Sequence, residues 1–174
     1  MCIRDSTDTL SPAKDLAPAL REVSSWVHLT VEMGRFYTAE CGYYLTTAMD
    51  CKDHGGQHYC IVDGGMNHLN YLGQIMGMKR PHLRHFAARA ASVQDWTLCG
   101  SLCTTNDVLV RSMPLAGLCP GDLLAFENTG AYSVTEGLGL FLSRDLPQVI
   151  LWQNGTPHPV RSETPTYPIN TPAV

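Results

Sequence analysis

The sequence predicts a mainly β domain, a barrel or sandwich, preceded by one helix-strand unit of an α/β fold. Three observations carry this. From residue 36 onward, short runs rich in Val, Ile, Leu, Tyr and Thr alternate with Gly- and Pro-bearing turns, the pattern of many short strands. Ahead of them lies a single helix start, Ser11-Pro12, with Ser as cap, Pro at the first helical position and Leu16, Leu20 and Val23 at helical spacing. Between the two sits Trp26-Val27-His28-Leu29-Thr30-Val31, which ends in the charged glycine turn Glu32-Met33-Gly34-Arg35. A helix followed by a strand and such a turn is the repeat of an α/β fold, and one copy alone makes no domain.

Taken in order, residues 1–10 lack any periodicity and read as a non-native or disordered start. Residues 11–35 hold the helix-strand unit, with the helix ending near Ser24-Ser25. Residues 36–152 form the β-domain. Its first hairpin runs from Tyr43 to Asp50, turns at Asp53-His54-Gly55-Gly56 and returns through Tyr59 to Asp63. Further strands are expected over 81–88, 94–99, 107–112, 122–127 and 147–152. Pro120-Gly121 suits the centre of a type II turn, because Pro presets φ and Gly accepts a positive one. Residues 153–174, dense in Pro, Thr, Ser and Asn, read as an irregular surface tail. Asn154-Gly155-Thr156 marks a turn there.

The 174 residues carry a formal charge of -4, which favours neither nucleic acid nor an anionic membrane surface as partner. The longest uncharged stretches are broken by Gly, Thr and Asn well before the ~20 residues a membrane span requires. Seven cysteines at irregular spacing, without a leader ahead of them, point to a reducing cytoplasm. No Cys-x-x-Cys pair occurs, Cys99 and Cys103 are separated by three residues, and the histidines of His82 to His85 read as surface or strand residues; no metal is expected.

Two places carry chemistry. Glu32 to Arg35 closes a predicted strand at the end where α/β folds bind ligands. Gly34 admits a ligand to the backbone, the Arg35 fork suits phosphate oxygens, and Glu32 adds a fixed negative charge. The second is Cys103, set in a polar corner with Thr104, Thr105 and Asn106 between two apolar runs. A small hydrophobe at a strand end would be the ordinary reading of such a thiol, and for Cys99 it holds.

With Asp63-Gly64-Gly65-Met66-Asn67, Cys99 to Cys103, Pro120-Gly121-Asp122 and Gly130-Ala131-Tyr132 following in order, the chain from about Leu16 to Ile150 resembles the fold type III pyridoxal-phosphate decarboxylases, which act on diaminopimelate, ornithine or arginine. The resemblance implies a two-part enzyme, an N-terminal α/β-barrel and a C-terminal β-domain. This chain would keep the last barrel unit and the β-domain. It implies pyridoxal 5'-phosphate as cofactor, with Glu32 facing the pyridine nitrogen, Gly34 and Arg35 near the phosphate, and Tyr132 contacting phosphate and substrate; Glu136 lies nearby. A carboxylate at the ring nitrogen keeps it protonated and strengthens the electron sink. Cys103 corresponds to the family's proton donor, which reaches across a homodimer interface into the partner's pocket. A thiol with pKa near ~8.5 holds its proton at neutral pH and still yields it to a basic carbon.

Departures from the family concern the turn and the substrate. Met33 stands where the family has Pro. The family's substrate-holding positions after Asp-Gly-Gly fall at Tyr71 and Ile75, and the acid that follows the cysteine and meets a distal ammonium is Thr104. Substrate contacts are therefore assigned to Arg35, Tyr71, Thr104 and Tyr132. Relatives acting on carrier-tethered or otherwise modified amino acids are closer in the Met-Asn-His and Cys-Thr stretches, which points to a substrate with a neutral or external distal end. The lysine that anchors the cofactor belongs to the missing part of the barrel, and Lys14, Lys52 and Lys79 do not match its surroundings; the chain by itself is expected to be inactive. Two other functions are open: a non-catalytic regulatory homologue of the same fold, and an independent β-barrel binding module.

Overall fold

A computed structural model describes residues 12–30, 32–71, 77, 80–87 and 89–172. Helix α1 spans Pro12–Ser24. Its C-terminus is closed by Ser24 and Ser25, whose hydroxyls donate back to the carbonyls of Arg21 (3.0 Å) and Glu22 (2.6 Å), so the helix stops where the sequence predicts. The capping Ser11 lies outside the described residues.

The strand expected at residues 26–31 is not formed. Residues 25–27 turn, 28–30 run without a strand partner, and Val31 lies outside the described residues. Trp26 and Val27 are exposed. A strand of a parallel sheet is stable only between neighbours that take up its backbone groups, and among the described residues none lies beside this segment. The chain instead coils into a short helix α2, Gly34–Thr38, and a 3-10 turn, Ala39–Cys41, that lead into the sheet.

The β-domain is built on β1 (Tyr43–His54), β2 (Gln57–Val62), β3 (Leu83–Phe86), β4 (Val93–Cys99), β5 (Val108–Ala116) and β6 (Leu123–Glu127), in one six-stranded sheet ordered β3-β6-β1-β2-β4-β5. β1 has two partners in succession. Tyr43 to Thr47 pair with β6, and from Ala48 the strand pairs with β2, with a bulge between Ala48 and Asp50 at the changeover; a bulge bends a strand and raises its twist. The β1-β2 turn is Gly55-Gly56, both at positive φ (58° and 78°), the pair a type I' hairpin turn requires. Cys119-Pro120-Gly121-Asp122 closes with Asp122 N–H on the Cys119 carbonyl at 3.1 Å, and Gly121 has φ 89°, as the type II reading expects. Pro114 falls in β5, an edge strand, where a missing N–H costs no ladder bond.

The tail corrects the sequence reading. Residues 153–174 are not an irregular strap, because Thr156–Arg161 form β8 and pair antiparallel with β7, Val149–Gln153. The register explains how a strand tolerates two prolines. Across the two-residue Asn154-Gly155 turn, Gln153 and Thr156 form the hydrogen-bonded pair, so Trp152 opposite Pro157 and Ile150 opposite Pro159 are the alternate, non-hydrogen-bonded pairs. There the proline nitrogens point away from the partner strand. A short helix α3, Tyr167–Asn170, follows.

Alternation along β1 sends Tyr44, Thr46 and Ala48 inward, where they meet Val62, Leu69, Tyr71, Leu98, Val110, Leu124 and Phe126 in one core. Among the described residues no helix is long and apolar enough to cross a membrane.

Candidate functional site

The first site joins the turn after α1 to the loop after β6. Gly42 and Gly130 let the two segments lie backbone to backbone: Gly130 N–H donates to Ala39 O at 2.9 Å and Thr129 N–H to Gly42 O at 3.0 Å. A Cβ on Gly42 would stand 2.3 Å from the Gly130 nitrogen. This closeness brings Arg35, half-buried, to the loop, where its guanidinium donates to the Ala131 carbonyl at 3.2 Å and lies 5.2 Å from the centre of the Tyr132 ring, a cation-π distance. Tyr132 adopts a left-handed φ of 65°, which costs a non-glycine residue ~1–3 kcal/mol. Its carbonyl is held in place by Glu136 N–H and the Thr135 hydroxyl, both at 2.9 Å. Gly34 faces the Tyr132 hydroxyl so closely that a Cβ would lie 2.1 Å from it. Glu32 stands exposed at the start of the turn.

The second site is the loop between β4 and β5 that carries Cys103 at its exposed tip. Its base is fixed from three sides. Ser101 N–H donates to Gly64 O at 2.9 Å and its hydroxyl to Asp63 O at 3.1 Å, while Arg144 donates to the same hydroxyl at 2.8 Å. Beneath them lies Asp107, only 2 % exposed. One of its carboxylate oxygens accepts Met66 N–H at 2.8 Å and the other Leu102 N–H at 2.9 Å. Burial raises the Asp107 carboxyl above its ordinary range, partly offset by those two N–H groups and by the nearby Arg144 guanidinium. Thr104 closes the tip, with its N–H on Leu102 O at 2.8 Å and its hydroxyl accepting Asn106 N–H at 3.3 Å. It also lines an open cleft of about 360 Å³ with Lys52, His54 and Tyr59.

Of the residues singled out in the sequence, Gly34, Arg35 and Tyr132 come together. Cys103 and Thr104 form the separate corner, and among the described residues no hydrogen bond or ring contact joins the two sites. The segment after Tyr132 is tied to the turn after β2: Leu138 N–H donates to Met66 O at 2.9 Å, and His68 bridges Tyr44 (3.0 Å) and the Asp145 carbonyl (2.9 Å). Tyr71 is buried against Phe126, ring centres 6.3 Å apart, and its hydroxyl accepts His82 N–H at 3.3 Å; its ring fills the core. Glu136 is exposed, Cys99 is half-buried with its thiol pushed up by burial, and Lys52 pairs with Asp50 at 2.9 Å on the surface. Ile75 and Lys79 lie outside the described residues, as does the Lys14 side chain. Asp107 and Arg144 escape a sequence reading. Asp107 leaves only one trace, a carboxylate seven residues after Gly100 in the loop Cys99-Gly100-Ser101, and Arg144 leaves none.

A family model for the pyridoxal-dependent decarboxylase C-terminal sheet domain matches residues 5–130. The chain belongs to this decarboxylase family. Among its curated relatives, an L-glutamyl acyl-carrier-protein decarboxylase of Niallia circulans is 30% identical over 162 residues, covering 83% of the chain and 38% of the relative. A Staphylococcus aureus decarboxylase of an alanin-3-ylcarbamoylmethyl-substituted hydroxybutanedioate is 35% identical over 133 residues, covering 71% and 33%. A diaminopimelate decarboxylase crystal structure superposes with TM-score 0.73 at 24% identity, over 97% of this chain and 43% of that one. The sheet domain is thus spanned, and the chain amounts to well under half the length of these relatives.

The residues present suit the family's cofactor. A phosphate needs fixed cationic and hydroxyl donors at an accessible surface. Arg35 and Tyr132 provide that donor set, with the guanidinium already oriented by the Ala131 carbonyl. Among the described residues no group of three or more His, Cys, Asp or Glu side chains is arranged to hold a metal ion.

Proposed function

We propose that this domain completes the active site of a pyridoxal-phosphate-dependent amino-acid decarboxylase that works as a homodimer. The observation that carries the reading is the meeting of Arg35 with Ala131 and Tyr132, groups 96 residues apart in sequence that make one donor surface. Pyridoxal phosphate, when bound, supplies the electron sink that lets an amino acid lose its α-carboxylate. Arg35 and Tyr132 hold its phosphate, Gly34 leaves room for the Tyr132 hydroxyl, and the Glu32 carboxylate keeps the ring nitrogen protonated. Cys103 gives the Sγ proton to the carbon that has released carbon dioxide; the S–H bond breaks, a C–H bond forms, and the thiolate regains a proton from solvent.

The separation of the two sites within one domain supports the dimeric arrangement. Arg35 and Tyr132 serve the barrel joined to the same chain, and the Cys103 corner serves the partner's. Residues 11–35 then belong with the barrel and 36–152 with the sheet domain. Thr104, at the place of the family's acid, offers no charge to a distal ammonium. The substrate is accordingly an amino acid whose far end is neutral or carried outside the pocket, in keeping with relatives named for a carrier-bound glutamyl group and a substituted alaninyl amide. A cytoplasmic setting agrees with six free cysteines among the described residues.

The test is carbon dioxide release from this chain joined to a barrel domain, with and without pyridoxal phosphate, across free and amide- or thioester-linked amino acids. Cofactor-dependent release that falls by ~100-fold or more in Cys103→Ala supports the reading. Cofactor binding without release from any amino acid would leave a regulatory homologue. Absence of cofactor binding by the joined protein would leave a binding module.

A further inference from the structure

We propose that Asp107 is the positioning residue for the proton donor, setting where Cys103 stands by tying its loop to the Asp63-Gly64-Gly65-Met66 turn. The inference rests on reading Cys103 as the donor. Its evidence is geometric: one carboxylate takes a backbone N–H from each of two segments, Met66 at 2.8 Å and Leu102 at 2.9 Å. The Asp107 backbone carbonyl also accepts Gly100 N–H at 2.9 Å. Leu102 is the residue immediately before Cys103, so the bond fixes the backbone one residue from the thiol.

The space around the carboxylate is closed as well. A Cβ on Gly65 would lie 2.5 Å, and one on Gly100 2.1 Å, from an Asp107 carboxylate oxygen. Both glycines are thereby explained by the same group: each segment runs bare past the carboxylate so that the N–H of Met66, next to Gly65, and of Leu102, two residues after Gly100, can reach it. Asparagine in this place would keep one acceptor and turn an N–H₂ toward the other backbone N–H, donor against donor. Glutamate would be one methylene too long for a cavity with no slack. Ser101, pinned by Gly64, Asp63 and Arg144, adds a second tether that does not involve the Asp107 carboxylate. The base of the loop is thus rigid and the tip, Cys103 with Thr105 and Asn106, is exposed. That is the arrangement a donor needs to hold one position in a pocket built by another surface.

The experiment compares Cys103→Ala, Asp107→Asn and Ser101→Ala in the barrel-joined protein. It reads kcat, KM and the solvent deuterium isotope effect, with amide exchange in the 174-residue chain followed at Leu102 and Met66 to report the tether and along β1 and β2 to check folding. Displaced by about an ångström, the donor should slow proton delivery ~10- to 100-fold. Asp107→Asn should therefore lower kcat by that factor, leave KM within about twofold and raise the isotope effect, while Leu102 and Met66 lose protection. Ser101→Ala should do the same more weakly. Damage that merely reduced the folded fraction would lower kcat without changing the isotope effect. If Cys103→Ala lowers kcat while Asp107→Asn and Ser101→Ala keep wild-type kcat and isotope effect, positioning by Asp107 is wrong and the donor reading stands. If Cys103→Ala itself keeps wild-type kcat, the donor reading fails and the inference falls with it. Should Asp107→Asn not fold, Ser101→Ala decides by the same readouts.

Discussion

The Tyr132 hydroxyl occupies the space that a side chain on residue 34 would need: a Cβ built on Gly34 comes within 2.1 Å of it. The clashing atom is the far end of an exposed, rotatable side chain, so the ring can swing away at small cost. Gly34→Ala should therefore leave thermal stability within ~1 kcal/mol of the parent and still weaken cofactor binding by about tenfold in the barrel-joined protein. Differential scanning calorimetry and the cofactor's absorbance titration read the two quantities separately. A large loss of stability with unchanged affinity would contradict it.

Gly42 offers the contrast. Its missing Cβ would meet backbone, 2.3 Å from Gly130 N and 2.4 Å from Gly130 Cα, and neither segment can rotate out of the way. Gly42→Ala should lower stability by roughly 2–3 kcal/mol, the scale of an overpacked contact, visible as an earlier urea midpoint.

Acid stability should follow Asp122. Burial works against its charge, but hydrogen bonds from Arg89, from His85 Nε2 (2.8 Å) and from Cys119 N–H (2.9 Å) outweigh it and hold the carboxyl down at about 2. A depressed pKa contributes stability that is fully present above the unfolded value of ~3.9 and is lost as pH falls toward 2, about 2.5 kcal/mol for the shift involved. Asp107 has the opposite sign: its carboxyl is raised, so protonation in acid relieves a buried charge. Unfolding measured between pH 5 and 2 should show a loss that Asp122→Asn flattens. An Asp122→Asn profile parallel to the parent would refute the assignment.

The chain of 174 residues by itself should release no carbon dioxide from any amino acid. Lys52, the lysine whose side chain is described, is an exposed surface residue paired with Asp50, away from Arg35 and Tyr132 in the hydrogen bonds it makes. Turnover by the purified chain above a control lacking pyridoxal phosphate would contradict this.

Specificity should respond at one position. Thr104→Glu restores an acid beside Cys103 and gives a distal ammonium a charge-assisted partner. Its kcat/KM for diamino acids should rise about tenfold relative to amino acids with a neutral far end, in a competition assay on the barrel-joined protein.

Most of the sheet was legible because its strands are written by local signals: Gly55-Gly56 fixes one hairpin and Pro120-Gly121 announces β6. The failures have a common cause in long-range context. Trp26 to Val31 has strand composition, but composition cannot supply the neighbouring strands that a parallel sheet needs. Pro157 and Pro159 read as breakers because their effect depends on which strand positions point outward, and that is set by the register across Asn154-Gly155. At the candidate site, Arg35, Tyr132 and Cys103 stood out by residue type and motif. Tyr71 did so too, and its burial beside Phe126 could be seen only once the core was assembled. Asp107 was invisible for the reverse reason. Its partners are two backbone N–H groups, which leave no mark on the sequence except the glycines that make way for them.

The divided pairing of β1 bears on how the domain is made. Its second half meets β2 across a two-residue turn and can close as soon as it leaves the ribosome. Its first half, Tyr43 to Thr47, has to wait for Leu123–Glu127, which at common translation rates follows β2 by several seconds, roughly three to twelve. During that interval Tyr43, Leu45 and the inward-facing Tyr44 form an unpaired, apolar strand edge on the nascent chain. A chaperone that shields emerging strand edges should therefore raise the yield of folded domain most at this stage, and a pause in translation before residue 123 should lower it.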